Sequence, residues 1–219
     1  MDIDFIQKYY PLYVKAGILT LRIALIGIAG ALAVGLVTSL IQYYRVPVLR
    51  RLAGIYIELS RNTPLLIQLF FLYFALPKIG IMLSSQTCAV IGLIFLGGSY
   101  MSEAYRSGME SVSAGQIDAG LSIGLKKHQI FLYIILPQAI SVSIPAFAAN
   151  TIFLIKETSV FSAVALADLM FVAKDLIGLY YRTDEALLLL VLAYLIILLP
   201  ISAVFTLLER RLRYAGFGN

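Results

Sequence analysis

An all-α membrane protein, built as a bundle of five transmembrane helices, is the fold class this sequence predicts, and three observations predict it. Of the 219 residues, 61% are hydrophobic and only 13% charged, about half the charged share of an ordinary soluble domain. The charges gather in clusters between apolar runs. Several of those runs approach the ~20 residues that a helix needs to cross a hydrocarbon core about 30 Å thick. A soluble chain of this length would have to coat its core with polar residues that are mostly missing here, so the outer surface is expected to face lipid.

The first span, residues 18–43, centres on the uncharged run Ile23 to Ile41 and stops before Arg45, Arg50 and Arg51. Its Gly27, Gly30 and Gly35 suit close helix packing. The second, 58–77, belongs to an apolar run from Pro64 to Leu83 that Pro77 and Lys78 interrupt. Glu58 and Arg61 lead into it, and their three-residue spacing reads as a structural ion pair that makes burial tolerable, with substrate contact as the other reading. The third, 84–107, follows a turn at Ser84 and Ser85, since no charge falls between Lys78 and Glu103. The fourth, 137–157, fits the uncharged interval between His128 and Lys156, and the fifth, 185–208, holds the clean run Ala186 to Leu207. Met1-Asp2-Ile3-Asp4 puts no basic stretch ahead of the first apolar segment, so no cleavable leader is expected. The chain reads as one transmembrane domain, 1–219.

Orientation follows from the cationic residues, which collect beside cytoplasmic loops. With the N-terminus outside and the C-terminus inside, the inner face receives Arg45, Arg50, Arg51, Arg106, Lys126, Lys127, Arg210, Arg211 and Arg213 in clusters. The outer cations, Lys8, Lys15, Lys78, Lys156, Lys174 and Arg182, are scattered among acids. Topology therefore accounts for the net charge of +5 without a nucleic-acid partner. Cys88, alone in an apolar run, reads as a small hydrophobe. His128 has no Cys, Asp or Glu at metal spacing, so neither a metal site nor an enzymatic cluster is expected. Tyr9, Tyr10, Tyr13, Tyr43 and Tyr44 suit the aromatic belts of a membrane interface. The outer segment 158–184 is expected to carry a short helix against the bundle.

The inner loop, about 110–136, carries the most informative pattern: Asp118-Ala119-Gly120, three residues, Gly124, nine residues, Ile134, one residue, Leu136-Pro137. A short amphipathic helix closed by a glycine turn makes a compact knob that can seat in a groove of a soluble partner. Gly124 supplies the backbone freedom for the turn, and Pro137 suits the first turn of the helix that re-enters the membrane. Force on the knob would pass into the fourth span.

This spacing resembles the EAA loop of ATP-binding-cassette importer permeases, E-A-A, three residues, G, nine residues, I-x-L-P. Asp118 stands where Glu is usual and Gly120 where the second Ala is usual. Gly costs a helix roughly 1 kcal/mol relative to Ala, so a looser or later-starting coupling helix is expected. Arg61-Asn62-Thr63-Pro64-Leu65-Leu66-Ile67-Gln68 looks like the R-G-T-P-L-L-x-Q segment of the polar amino-acid permeases. Ser102 to Gly108, Gly115-Gln116, Pro137-Gln138-Ala139 and Glu209-Arg210-Arg211-Leu212 match that family too, in order. The resemblance implies a permease subunit of the bacterial inner membrane, paired with a second permease subunit above a dimer of ATPase subunits. It implies delivery of an amino-acid substrate by an extracytoplasmic binding protein, and coupling helices between spans three and four. ATP and Mg would be bound by the partner ATPase: the nearest approach here to a phosphate-cradling loop, Gly120 to Lys127, has Leu125 where the lysine belongs.

Polar residues inside spans are costly and earn a functional reading. Thr63 and Gln68 are candidates for the substrate pathway, with interhelical hydrogen bonding as the equal alternative. In the fourth span Asn150, Leu154 and Glu157 fall on one helix face, and Thr151 and Thr158 share a face one residue on. Family members importing basic amino acids resemble one another in placing Glu after the equivalent of Asn150; Thr151 here points to a neutral or polar substrate of the glutamine or cystine type. Lys156 and Glu157 either meet substrate charges or pair with solvent and headgroups, and Asp168 is a candidate to face the binding protein. An ATP-independent secondary amino-acid transporter is the alternative function, but it predicts intramembrane carboxylates and a repeated half.

Overall fold

The computed structural model describes residues 1–216, with side chains to Arg211; the side chains of Leu212 and Arg213, assigned above to the inner end, lie outside it. Among the described residues the fold is helical throughout: α1 (Ile3–Tyr43), α2 (Leu49–Arg61), α3 (Leu65–Phe70), α4 (Ser85–Glu110), α5 (Ala114–Ser122), α6 (Lys127–Ile130), α7 (Leu136–Glu157), α8 (Leu169–Tyr180) and α9 (Thr183–Gly216). α1, α4, the run Lys127–Val164 and Thr183–Arg211 are each long and apolar enough to cross a membrane. α2 and the run Leu65–Ile79 reach that standard only as a pair, bent by 102°. Counting the pair once gives five candidate spans.

That bend divides the second span, given above as residues 58–77. Pro64 has no N–H and sits at φ −57°, ψ 142°, and a proline disfavours helical backbone in the residue before it. The helix therefore stops at Arg61 and restarts at Leu65. The wider turn Phe71–Ala75 and the tighter one Leu76–Ile79 then carry the second arm to the left-handed Gly80.

The first helix also departs from expectation, for it starts at Ile3 rather than near residue 18 and continues through Pro11. Asp2 caps it, accepting from the Phe5 N–H at 3.1 Å, and Phe5, Tyr9 and Tyr13 recur at four-residue spacing to bury against Leu169, Ala173, Leu176 and Ala186. Tyr9 and Tyr13 are thus packed between helices, the Tyr13 hydroxyl donating to Ala186 O at 2.7 Å. Tyr10 alone of the three is exposed.

α1 and α4 form the spine of the bundle, and small residues let them approach. A Cβ on Gly27 would stand 2.7 Å from Cβ of Leu93, and one on Gly35 2.9 Å from the Ser102 nitrogen. Leu65, Leu69, Leu93, Leu154 and Phe161 are fully buried where α3, α4, α7 and the turn Thr158–Val164 meet. Such a core tolerates neither a cavity nor an added methylene without cost.

Candidate functional site

Between α4 and α7 the chain folds into a knob. α5 ends at Ser122 with Ile123 as its cap, and Gly124 follows at φ +84°. Its N–H reaches Leu121 O at 2.9 Å while the Leu125 N–H reaches Gly120 O at 3.1 Å, the paired bonds of a Schellman stop, which needs a left-handed residue at Gly124. Asp118 and Ala119 are exposed on α5, whereas Gly120 is buried. A Cβ there would come within 2.8 Å of the Ile134 side chain and 3.3 Å of Ile130. The expectation of a loosened coupling helix is therefore corrected: α5 is continuous from Ala114 to Ser122, and the missing methyl lets it seat on Ile130 and Ile134.

The re-entry differs from expectation as well. The helix that carries the fourth span starts at Lys127, not at Pro137, and runs unbroken to Val164. Pro137 follows a widened turn, Phe131–Ile135, in which the Leu136 N–H reaches back to Phe131 O. Widening of this kind absorbs a residue that cannot donate.

Sequence reasoning missed what fastens the knob. Gln138 on α7 donates to Gln116 Oε1 on α5 at 2.7 Å and to Ile134 O at 2.8 Å, so α5 is tied to the long helix by one amide. Beneath it Met109, Val112, Ile130, Ile135 and Ala139 form a buried cluster. Ser143 donates to Ala104 O at 2.8 Å, and Gly108 lets α4 touch the Ala139 backbone. Both glutamines sat in recognisable motifs, but 22 residues separate them and no local rule joins such a pair.

The elbow is held by backbone-directed bonds. Gln68 donates to Ser60 O at 3.1 Å and to Thr63 O at 2.9 Å, bridging the break, and its Oε1 is buried without a hydrogen-bond partner. Ser60 donates to Phe95 O at 2.8 Å, and Tyr56 does the same. Thr63 and Gln68 line an apolar recess of about 430 Å³ with Ile67, Phe71, Gly92 and Phe95. The proposed ion pair of Glu58 with Arg61 is absent: Glu58 accepts from the Asn62 amide at 3.0 Å, and Arg61 faces Glu103 at 3.6 Å with the Tyr100 ring 5.2 Å away. Helix α2 turns Arg61 toward α4, where Glu103 is also gripped by Arg106 at 2.9 Å.

The fourth-span candidates divide. Asn150 is half-buried and donates to Tyr100 O at 3.2 Å. Leu154 is fully buried against Gly97, and Thr158 is fully buried, donating to Ile155 O at 2.7 Å. These two are packing residues. Thr151 and Glu157 are half-buried. None of the five lines the recess at Thr63 and Gln68. Asp168 does not face outward either: it is fully buried as the cap of α8, accepting from the Phe171 N–H at 3.0 Å. Burial pushes its carboxyl from 3.8 up to about 6, against the opposing pull of the α8 N–H groups and Lys174.

Known proteins share this arrangement over nearly the whole chain. The family described as "Binding-protein-dependent transport system inner membrane component" matches residues 11–214. The chain is 37% identical to a probable glutamine ABC transporter permease protein, GlnP, of Bacillus subtilis (strain 168), over 80% of this chain and 82% of that one. It is 33% identical to the L-cystine transport system permease protein TcyB of the same organism, over 96% and 91%. The crystal structure of an amino acid ABC transporter with histidines superposes with a TM-score of 0.90 at 30% identity, covering 96% of this chain and 99% of that one. The knob with its ordered motif, the bent span and these matches lead to one conclusion: the chain belongs to the binding-protein-dependent transport system inner membrane component family, as an ABC permease of the amino-acid importers.

Proposed function

We propose that this chain is the membrane-spanning half of an ATP-driven importer for a neutral or polar amino acid of the glutamine or cystine type, working N-terminus out and C-terminus in across a bacterial inner membrane. A dimer of separate ATPase subunits docks on α5, a second permease subunit completes the passage, and an extracytoplasmic binding protein delivers the substrate. Asp118, Ala119, Gly120, Gly124, Ile134, Leu136 and Pro137 form the coupling element. The observation that carries this reading is mechanical continuity: an exposed α5, closed at Gly124, is strapped by Gln138 to a helix that runs 38 residues from Lys127 to Val164. A push on α5 is transmitted as displacement of that helix, because packed interfaces switch between discrete arrangements and do not deform continuously.

Thr151, Asn150 and Glu157 are the half-buried polar groups of the fourth span, and the relatives named above carry glutamine and cystine in their names. Uptake into vesicles containing the permease, its ATPase and the cognate binding protein, assayed over a panel of amino acids, tests the assignment. Glutamine or cystine should be carried in preference to arginine and lysine, and only with ATP inside the compartment that α5 faces. Preference for arginine, or uptake without nucleotide, would overturn it.

A further inference from the structure

The turn between α1 and α2 holds a second concentration of chemistry that the coupling element does not use. Arg45, Arg50 and Arg51 are exposed there, and none of them meets a carboxylate within ion-pair distance among the described residues. Two carboxylates stand nearby, Glu103 and Glu110, and both are already engaged by Arg106, at 2.9 and 2.8 Å. Arg45, Arg50 and Arg51 also share a recess of about 570 Å³ with Leu52, and Arg45 and Arg50 line a polar recess of about 400 Å³ beside it. The backbone is unusual at both ends of the turn: Arg45 has φ +52° and Val48 φ +66°, a conformation that a β-branched residue adopts only at a cost.

The recess that the arginines share with Leu52 adjoins an apolar stripe on α2. Leu52, Ile55 and Leu59 are 56%, 50% and 60% exposed and lie on one side of α2, opposite the buried Ala53, Ile57 and Ser60. At 1.5 Å per residue the stripe runs about 10 Å along the helix, shorter than the roughly 15 Å of hydrocarbon in one leaflet. Tyr43, Tyr44 and Phe131 cluster beside the charged end, where amphipathic rings favour the headgroup level.

We propose that this turn is a binding site for an anionic phospholipid, whose phosphate is held by Arg45, Arg50 and Arg51 and whose acyl chain lies along Leu52, Ile55 and Leu59. Guanidinium groups match phosphate oxygens in paired hydrogen bonds. A free phosphate would satisfy the charge but leave the stripe uncovered. The proposal does not depend on which amino acid the transporter carries, nor on the docking of the ATPase at α5.

The chain contains no tryptophan, so Ile55→Trp places a reporter in the stripe, read as the difference in quenching between the variant and the unsubstituted assembly. The full-length chain, with whatever subunits co-purify, is reconstituted into phosphatidylcholine vesicles carrying brominated phosphatidylglycerol or brominated phosphatidylcholine at equal mole fraction. Brominated phosphatidylglycerol should quench at markedly lower mole fraction, and each Arg→Gln change at Arg45, Arg50 or Arg51 should weaken that preference about fivefold. The preference should weaken only in part with Arg45→Lys and Arg51→Lys, which keep the charge but lose the paired hydrogen bonds, and should survive Lys15→Gln in the other half of α1. Native mass spectrometry of the unmodified chain should retain phosphatidylglycerol, and lose it in the Arg→Gln variants. Equal quenching by the two lipids would overturn the proposal, as would loss of the preference in millimolar inorganic phosphate, which would make free phosphate the ligand. Absence of quenching by either lipid would assign the stripe to a protein neighbour and overturn it too.

Discussion

The knob around Gly124 and the elbow around Pro64 are both interruptions of a helix, yet they are secured in opposite ways. The knob's exposed face is free and its fastenings lie beneath it, in Gln138, Gly120 and the cluster around Ile130. The elbow is clamped from both sides, by Gln68 across the break and by Ser60 and Tyr56 onto the Phe95 carbonyl. One is an exposed projection tied to a long helix; the other is a fixed bend within the bundle. Changes at the knob are therefore expected to separate ATP hydrolysis from transport while leaving the bundle folded, and changes at the elbow to act through stability.

The largest effect is expected at Gly124. Proline cannot adopt φ +84°, so Gly124→Pro should abolish the Schellman stop and lower ATP-driven uptake at least about a hundredfold, with the helical content of the bundle retained by circular dichroism. Loss of the whole fold in that variant would erase the distinction between knob and elbow.

A third turn, before α8, sharpens the comparison through pH. The buried Asp168 carboxyl lies at about 6, above its ordinary 3.8, so ionisation is disfavoured in the folded state. Its contribution to stability is complete below about pH 3.8 and is lost as pH rises through 6, by up to roughly 3 kcal/mol for a shift of this size. Asn also caps helices well, so Asp168→Asn should raise the thermal midpoint at pH 7.5 and flatten its pH dependence between 4 and 6. An unchanged profile would mean that Asp168 is solvated.

Smaller effects separate the strap from the ion pairs. A double-mutant cycle on Gln116→Ala and Gln138→Ala should give a coupling energy of about 1 kcal/mol, read out as ATPase affinity or uptake. Arg61→Gln should cost under about 1 kcal/mol, because the Arg61 and Glu103 side chains are 42% and 32% exposed and such pairs are weak.

The turn at Gly124 was legible in the sequence because its determinant is local, a glycine where the backbone is left-handed, whereas the widened turn ahead of Pro137 was not. The spans were legible because lipid imposes length and apolarity. What stayed hidden depends on contacts between distant segments. Pro64 was read as the start of an apolar run and not as a break, and nothing in the sequence around Arg61 reveals that its partner is Glu103 on another helix. Leu154 and Thr158 share a helical period with polar neighbours, and only the packing of α4 and α9 shows that they face inward. Asp168 looked like a loop carboxylate because capping and burial depend on where α8 lies. Gly120 looked like a defect in a helix until Ile134 was seen to occupy the space.

The central claim is that residues 114–136 face the compartment that holds the ATPase. Ala119→Cys tests it directly, because the natural Cys88 is fully buried and contributes little background to a membrane-impermeant maleimide. The account predicts labelling in inverted inner-membrane vesicles, protection when the ATPase is bound, and none in right-side-out vesicles. Labelling from the outside would contradict it.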